Sequence, residues 1–529
     1  MGLSRSNRTG RVWRGWLLGL SGLAACGTAH LTALPAPDAA RPAALEPLDV
    51  PEPEARSMRA PAGYRVEAVV TGLTYPSSVE FDDEGFLYVA EAGAVWGDSN
   101  ARPRILRVAP DGEVRLLTER LVAPVSDLLW HQGQLYVSHR GRISSVSPEG
   151  VVRDLVTGLP SLGDHTNTQL CVGPDGKLYF GQGTVTNSGV VGLDNFFTGW
   201  LPQHPEAFDR PARDIRVREG TYESMNPFVM AGGKEPATVR TAPFAAFGAH
   251  HGEDEAVRGG FRILGSDKPT GCLYRCNLDG SALEVYAWGL RNPMGVLWGN
   301  DGQLYASNRG MSERGARPVA NAPDDLLLIK QNAWYGWPDF VSGVPITDPR
   351  FRPSFGPRLE PLMFNPPGVD QPLLTFGSGS GVGKLARAPE GDRHIFMAVT
   401  GDFSPMSVGS LPVDGGPRIV RIDPLNRRVE TFLGGGEEGV LDQGLGRQTP
   451  GQARAGLRRP VDVAFTPNGD ALYVADLGVI EVQSTRFPTV RPYPGTGVIW
   501  RVVPHDVRVQ PAAGLSIQPP RVDAAPAGK

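Results

Sequence analysis

Short runs of aliphatic and aromatic residues, each introduced by a turn that carries glycine, recur along most of this chain. The unit reads DDEGFLYVAEAG (82–93), WHQGQLYVSHRG (130–141), GPDGKLYFGQG (173–183), GNDGQLYASNRG (299–310), PEGDRHIFMAVTGDF (389–403) and TPNGDALYVADLG (466–478), six copies in all. A short apolar strand, such as 78–81 or 461–465, precedes each copy, and the turn glycine supplies the positive φ of a tight hairpin. Most copies are followed by a third strand, as in RILRVAPDG and CLYRCNLDG. The first three copies start about 40 to 50 residues apart, the size of one propeller blade. A sheet of so few strands cannot bury both faces alone, so radial stacking around an axis is the economical packing. The pattern therefore predicts an all-β fold, a six-bladed β-propeller over residues 63–505. A β-sandwich would not require six near-identical units. Later spacings are longer, and the largest insertion, about 187–270, has the Gly, Pro and charge content of long loops on one face.

In a propeller the innermost strand leaves one face and the second strand returns to it. Residues before each first strand and after each second strand should therefore ring one mouth of the central channel. The first set includes Ser77, Asp127, Asp164-His165, Arg291-Asn292, Lys384 and Arg458-Arg459. The second includes Glu91, His139-Arg140, Gln182, Asn308-Arg309-Gly310, Gly401-Asp402 and Asp476. Such a concave polar cluster is the candidate site, with simple capping of strand ends as the alternative. His165 is the preferred catalytic residue, because imidazole suits proton transfer near neutral pH. His139 is expected on the same face as an ordinary polar rim residue. The stretch HHGEDE at 250–255 has no spacing that fixes a coordination geometry and reads as a solvated loop.

Composition adds the compartment. Residues 1–25 combine four arginines with a short apolar run and end in Leu-Ala-Ala before Cys26, the layout of an export signal closed by a lipoprotein box. That run is shorter than the roughly 20 residues a membrane span needs. Cleavage would leave a lipidated Cys26 as the only membrane attachment and take the net charge from −4 to −8, which excludes a nucleic-acid partner. Residues 26–62 read as a Pro/Ala-rich tether and 506–529 as an unstructured tail. Cys272 and Cys276 sit on one strand, roughly 13 Å apart at Cα, too far for a disulfide. With Cys171 they read as buried thiols, and no C-x-x-C-H motif for covalent haem occurs.

The segments GDHTNTQLCVGPDGKLYFGQG, AWGLRNPMGVLWGNDGQLYASNRG and APDDLLLIKQNAWYGWPDF resemble the glucose/sorbosone dehydrogenase family, which includes quinone-dependent sugar dehydrogenases. The resemblance runs from about 63 to 503. It implies pyrroloquinoline quinone and calcium as cofactors, a small sugar or polyol as substrate and a separate electron acceptor. By motif match it gives His165 the role of general base, Asp164 that of orienting the imidazole, and Arg291 and Asn292 contact with the quinone. Arg459 and Lys384 are further cofactor-binding candidates. Calcium would be held by the carbonyls of Gly310 and Met311, with a second calcium region near Asp324, Asp325 and Tyr335. The chain departs from the family where it has Gly401-Asp402 in place of a lysine, and it has no clear equivalent of the stacking tryptophan.

Three functions follow as expectations. The first is an exported oxidoreductase that oxidises an aldose or polyol hydroxyl. The second is a metal-dependent lactonase using Glu91, Asp127, Asn292 and Asp476 as ligands. The third is a non-catalytic lipoprotein that binds a carbohydrate or a partner through the same face.

Overall fold

The computed structural model describes residues 50, 52–229, 236–401, 416–435, 456–483, 489–507 and 515–517. The expected signal, Cys26, most of the tether, Asp402 and the C-terminal end of the tail lie outside the described residues.

The described residues form six sheets of at least four strands, antiparallel except where Leu515–Ser516 adds a parallel edge to the sixth, the predicted propeller. Blade 1 runs from Pro76–Phe81 through Leu87–Glu91 and Arg104–Val108 to Val114–Thr118. Blade 2 starts at Val125–His131, blade 3 at Asn167–Val172, blade 4 at Pro293–Trp298, blade 5 at Val382–Arg387 and blade 6 at Pro460–Phe465. These innermost strands neighbour one another in order, and the sixth returns to the first. The closing device joins the two ends of the repeat. Tyr64–Leu73, from before blade 1, pairs antiparallel with Gly497–Pro504 and supplies the outer strand of blade 6. A closed ring leaves no long unpaired sheet edge between first and last blades.

Apolar positions alternate along the strands so that neighbouring blades share a wedge of core. Tyr88, Ile105, Val125, Leu128 and Leu135 fill the wedge between blades 1 and 2. Val382, Leu385, Leu297 and Tyr305 do so between blades 4 and 5. Three copies of the repeat also satisfy a buried tyrosine locally. The hydroxyls of Tyr88, Tyr179 and Tyr305 donate to turn carboxylates Asp82, Asp175 and Asp301 at 3.1, 2.9 and 2.6 Å. The turn glycines of the last two, Gly176 and Gly302, have φ of +70° and +73°, as the hairpin geometry requires.

The channel is crossed by a polar network. Lys384 Nζ of blade 5 donates to Asp127 Oδ1 of blade 2 (2.6 Å), Asp462 Oδ2 of blade 6 (3.0 Å) and the Ser77 carbonyl of blade 1 (2.9 Å). Gln169 of blade 3 bonds both Leu385 of blade 5 and Val296 of blade 4. Lys384 and Gln169 thus tie blade 5 to blades 1, 2, 3 and 6 through buried polar groups.

The insertion between the second and third strands of blade 3 has more structure than loops alone. It contains a short helix, Leu193–Phe197, and small sheets built on Ile215–Arg218 with Gly260–Ile263 and on Tyr222–Met225 with Thr238–Thr241. Val185, Val191, Trp200, Leu201 and Ala207 give it a core of its own. Cys272 and Cys276 share one strand, and both are free and buried with Cys171.

Candidate active site

A cavity of about 650 Å³ opens at the channel mouth, lined by strand-start residues of several blades and by the insertion. His165 and Asp164 lie on its wall just before blade 3, Arg291 and Asn292 just before blade 4, and Gly310 and Met311 just after the second strand of blade 4. The sequence-derived base, quinone contacts and calcium carbonyls are therefore brought together.

The imidazole of His165 is held by the backbone. Its Nδ1 lies 2.9 Å from the Thr184 carbonyl, which can only accept, so Nδ1 carries the proton and Nε2 is left as an acceptor. Burial, then the Arg291 charge, keeps the His165 pKa well below its ordinary 6.5, so the ring is neutral across the physiological range. Thr184 is itself fixed, because the next two residues bond the buried Asp209 carboxylate through Val185 N (2.7 Å) and Thr186 N (3.1 Å). Gly183 lies behind the ring. A Cβ there would come within 2.3 Å of His165 Cβ and 3.2 Å of Asn292 Oδ1.

Asp164 does not orient this imidazole. Its Oδ1 accepts from Trp200 Nε1 at 2.8 Å, Thr198 Oγ1 at 3.0 Å and Asn195 Nδ2 at 3.2 Å, and its Oδ2 pairs with Arg314. Burial opposes its ionisation, but the Arg314 charge outweighs that and leaves its pKa lowered. The same guanidinium reaches Asp194 on the insertion helix. Asp164 thus ties the insertion to the loop that carries His165. Arg314, Thr184, Trp200 and Asp194 were not singled out by the repeat pattern, because all lie in connections that carry no repeat.

The strand-end positions serve mostly as caps. Glu91 accepts from Thr74 N and pairs with Arg104, Asn308 Oδ1 accepts from Arg291 N and Asn292 N at 3.1 and 3.0 Å, and Asp476 accepts from Arg458 N and Arg459 N at 2.7 and 2.8 Å. His139 behaves the same way and is not a rim residue. It is 2% exposed, accepts from Val122 N through Nδ1 at 3.0 Å and donates from Nε2 to Ser144 Oγ at 2.8 Å. With Glu91 and Asp476 capping backbone and Asp127 bound to Lys384, the four supposed lactonase ligands do not converge on a common point.

The family model described as Glucose / Sorbosone dehydrogenase matches residues 274–386, which carry Arg291, Asn292, Gly310, Asp324 and Lys384. Over these residues the chain is similar to the glucose/sorbosone dehydrogenases. Quinoprotein glucose dehydrogenase B of Acinetobacter calcoaceticus is 25% identical over 187 residues, 35% of this chain and 28% of that one. The match thus spans under a third of that relative's length. The holo form of the pyranose dehydrogenase PQQ domain from Coprinopsis cinerea superposes with a TM-score of 0.50 at 14% identity, covering 86% of this chain and 98% of that one, a likeness of fold. The PQQ-bound aldose sugar dehydrogenase from Streptomyces coelicolor gives a TM-score of 0.46 at 17% identity over 84% and 99%.

The residues expected to hold cofactor and metal divide in two. Asn292 Oδ1 is buried at the cavity without a hydrogen-bond partner among the described residues, and Gly310 and Met311 line the wall. The guanidinium of Arg291, whose pKa burial pushes down to about 9, donates among the described residues to Asn187, at 3.3 and 3.1 Å. These groups fit an anionic planar cofactor with a hard cation. Lys384 and Arg459 do not serve it as expected. Lys384 is saturated by the channel network, and Arg459 is outside the described cavity wall and donates toward the Ile480 carbonyl.

Asp324, Asp325 and Tyr335 do not form a second metal site. Successive residues of Pro323–Leu328 point to opposite sheet faces, so Asp324 and Asp325 diverge. Asp324 accepts from Gly310, Gly381 and Val382 N–H groups at 2.7 to 3.1 Å. Asp325 accepts from Ser342 Oγ, and Tyr335 bonds Leu328 and Lys330 backbone.

Proposed function

We propose that the protein is an exported sugar or polyol dehydrogenase of the glucose/sorbosone type, tethered by lipid on Cys26, using pyrroloquinoline quinone with calcium and yielding electrons to a separate carrier. The observation that carries this reading is the tautomer of His165: neutral, with Nδ1–H donated to Thr184 and Nε2 open toward the cavity. Nε2 is then placed to take the proton of a substrate hydroxyl as its carbon becomes a carbonyl. Pyrroloquinoline quinone, when bound, supplies the two-electron acceptor for the hydride lost from that carbon. Arg291 would stabilise negative charge on the reduced acceptor, Asn292 Oδ1 would accept a hydrogen bond at its edge, and the Gly310 and Met311 carbonyls would hold calcium. The network of Asp164, Arg314 and Asp194 holds the insertion against the His165 loop.

The test is reconstitution of the purified protein with the quinone and calcium, followed by dye reduction over a panel of aldoses and polyols. Reduction with at least one sugar is expected. No reduction with any of them sinks the proposal.

A further inference from the structure

Several cationic side chains of the cavity wall make no ion pair among the described residues. Five cationic side chains line the cavity, Arg140, Arg291, Arg309, Arg314 and Lys384. Arg314 is paired with Asp164 and Asp194, and Lys384 with Asp127 and Asp462. The other three make no ion pair among the described residues. The guanidinium of Arg291 bonds Asn187, and Arg309 bonds the Val382 carbonyl (2.8 Å), the Gly381 carbonyl (3.4 Å) and Thr400 Oγ1 (3.2 Å). Arg140 is the extreme case: its Nε is shielded from solvent and has no hydrogen-bond partner. Burial pulls its pKa below the usual guanidinium value, with no carboxylate near enough to oppose the shift.

The carboxylates on the same wall are engaged elsewhere. Asp98 accepts from Tyr75 Oη and Asn100 N, Glu313 from Ser354 N, and Asp324 from three backbone N–H groups. Arg140 follows the second strand of blade 2, Arg291 precedes blade 4, and Arg309 follows the second strand of blade 4 and leans on blade 5. Arg140 thus reaches the cavity from blade 2, and Arg291 and Arg309 reach it from the paired strand ends of blade 4. Three desolvated, unpaired cations in one cavity are unfavourable by themselves and become favourable when anions enter. Their planar forks match carboxylates in a bidentate way.

We propose that Arg140 and Arg309 complete, with Arg291, a three-guanidinium receptor for a planar polycarboxylate. They supply the positive charge that Lys384 and Arg459, tied up elsewhere, do not. Identifying that polycarboxylate as pyrroloquinoline quinone, which bears three carboxyl groups, rests on the proposed function; the receptor's charge and shape do not.

The experiment titrates the full-length protein at low salt with two probes, pyrroloquinoline quinone and trimesate, a tricarboxylate without redox chemistry. Binding is followed by quenching of tryptophan fluorescence, since Trp96 and Trp200 line the cavity. Arg140→Gln and Arg309→Gln should each weaken binding of both probes by about 10- to 100-fold, the scale of one lost charge-assisted bond pair. Arg140→Lys, which keeps the charge and loses the fork, should fall between, and it carries the test if the glutamine variant fails to fold. Quinone binding that is tight in the wild type and unchanged in all three variants overturns the receptor and leaves the dehydrogenase proposal standing. Trimesate binding that depends on Arg140, without any quinone binding, supports the receptor and removes the cofactor. Binding of neither probe overturns both.

Discussion

His139 and His165 come from corresponding repeats, yet their substitution by alanine should have opposite consequences. His139→Ala deletes the acceptor of Val122 N–H and the donor to Ser144 Oγ within a site that is 2% exposed. A buried donor left unsatisfied costs about 1–3 kcal/mol, and the lost second bond about 1 kcal/mol more, so a destabilisation of roughly 2–4 kcal/mol is expected. The effect should depend on pH. Burial depresses the His139 pKa to about 4 against an ordinary 6.5, so the unfolded chain binds the proton first. The stability contributed by the neutral ring is complete above pH 6.5 and is lost as pH falls toward 4, and the gap between wild type and variant should close over that interval. Turnover by the folded fraction should be unchanged. His165→Ala removes one bond, to the Thr184 carbonyl, and should cost about 0.5–1.5 kcal/mol. It should reduce turnover of the reconstituted enzyme by about 100-fold or more, the scale of a general base. Urea unfolding between pH 4 and 8, with dye reduction on the same preparations, reads both quantities. A His139→Ala protein as stable as wild type at pH 7, or a His165→Ala protein with full turnover, would refute the assignment of one ring to structure and the other to chemistry.

Lys384→Met leaves Asp127 and Asp462 buried without their cation, so denaturant unfolding should show a loss of about 3–5 kcal/mol, and a loss below 1 kcal/mol would mean the channel network is not structural. Arg314→Met removes a charge that depresses the His165 pKa, so the acid limb of the kcat/KM profile should move to higher pH; an unmoved limb would show that His165 does not feel this network. Gly183→Ala drives a Cβ to within 2.3 Å of His165 Cβ, and turnover should fall by at least about 10-fold, as expected when a base is displaced, while urea midpoints report any accompanying strain.

The propeller was legible in the linear pattern, because every blade repeats the same local instruction: an apolar strand, a glycine turn and an aliphatic-aromatic strand. Period and turn chemistry are local properties, and six repeats leave few packings that bury all their faces. The same regularity brings His165, Arg291, Asn292 and Gly310 to one mouth. What the pattern could not decide was which polar groups at that mouth are already engaged. Asp164 was expected to serve the imidazole but is taken by Arg314 and Trp200, which arrive from connections far along the chain. Lys384 was expected to face a cofactor but is claimed by carboxylates of two other blades, and His139 by a backbone amide and a serine. Residue type and strand position are written along the sequence; hydrogen-bond and ion-pair partners across the ring are not, because they depend on which blades face each other once it closes. Only the tertiary structure therefore separated the side chains that hold the propeller together from the few left free to do chemistry.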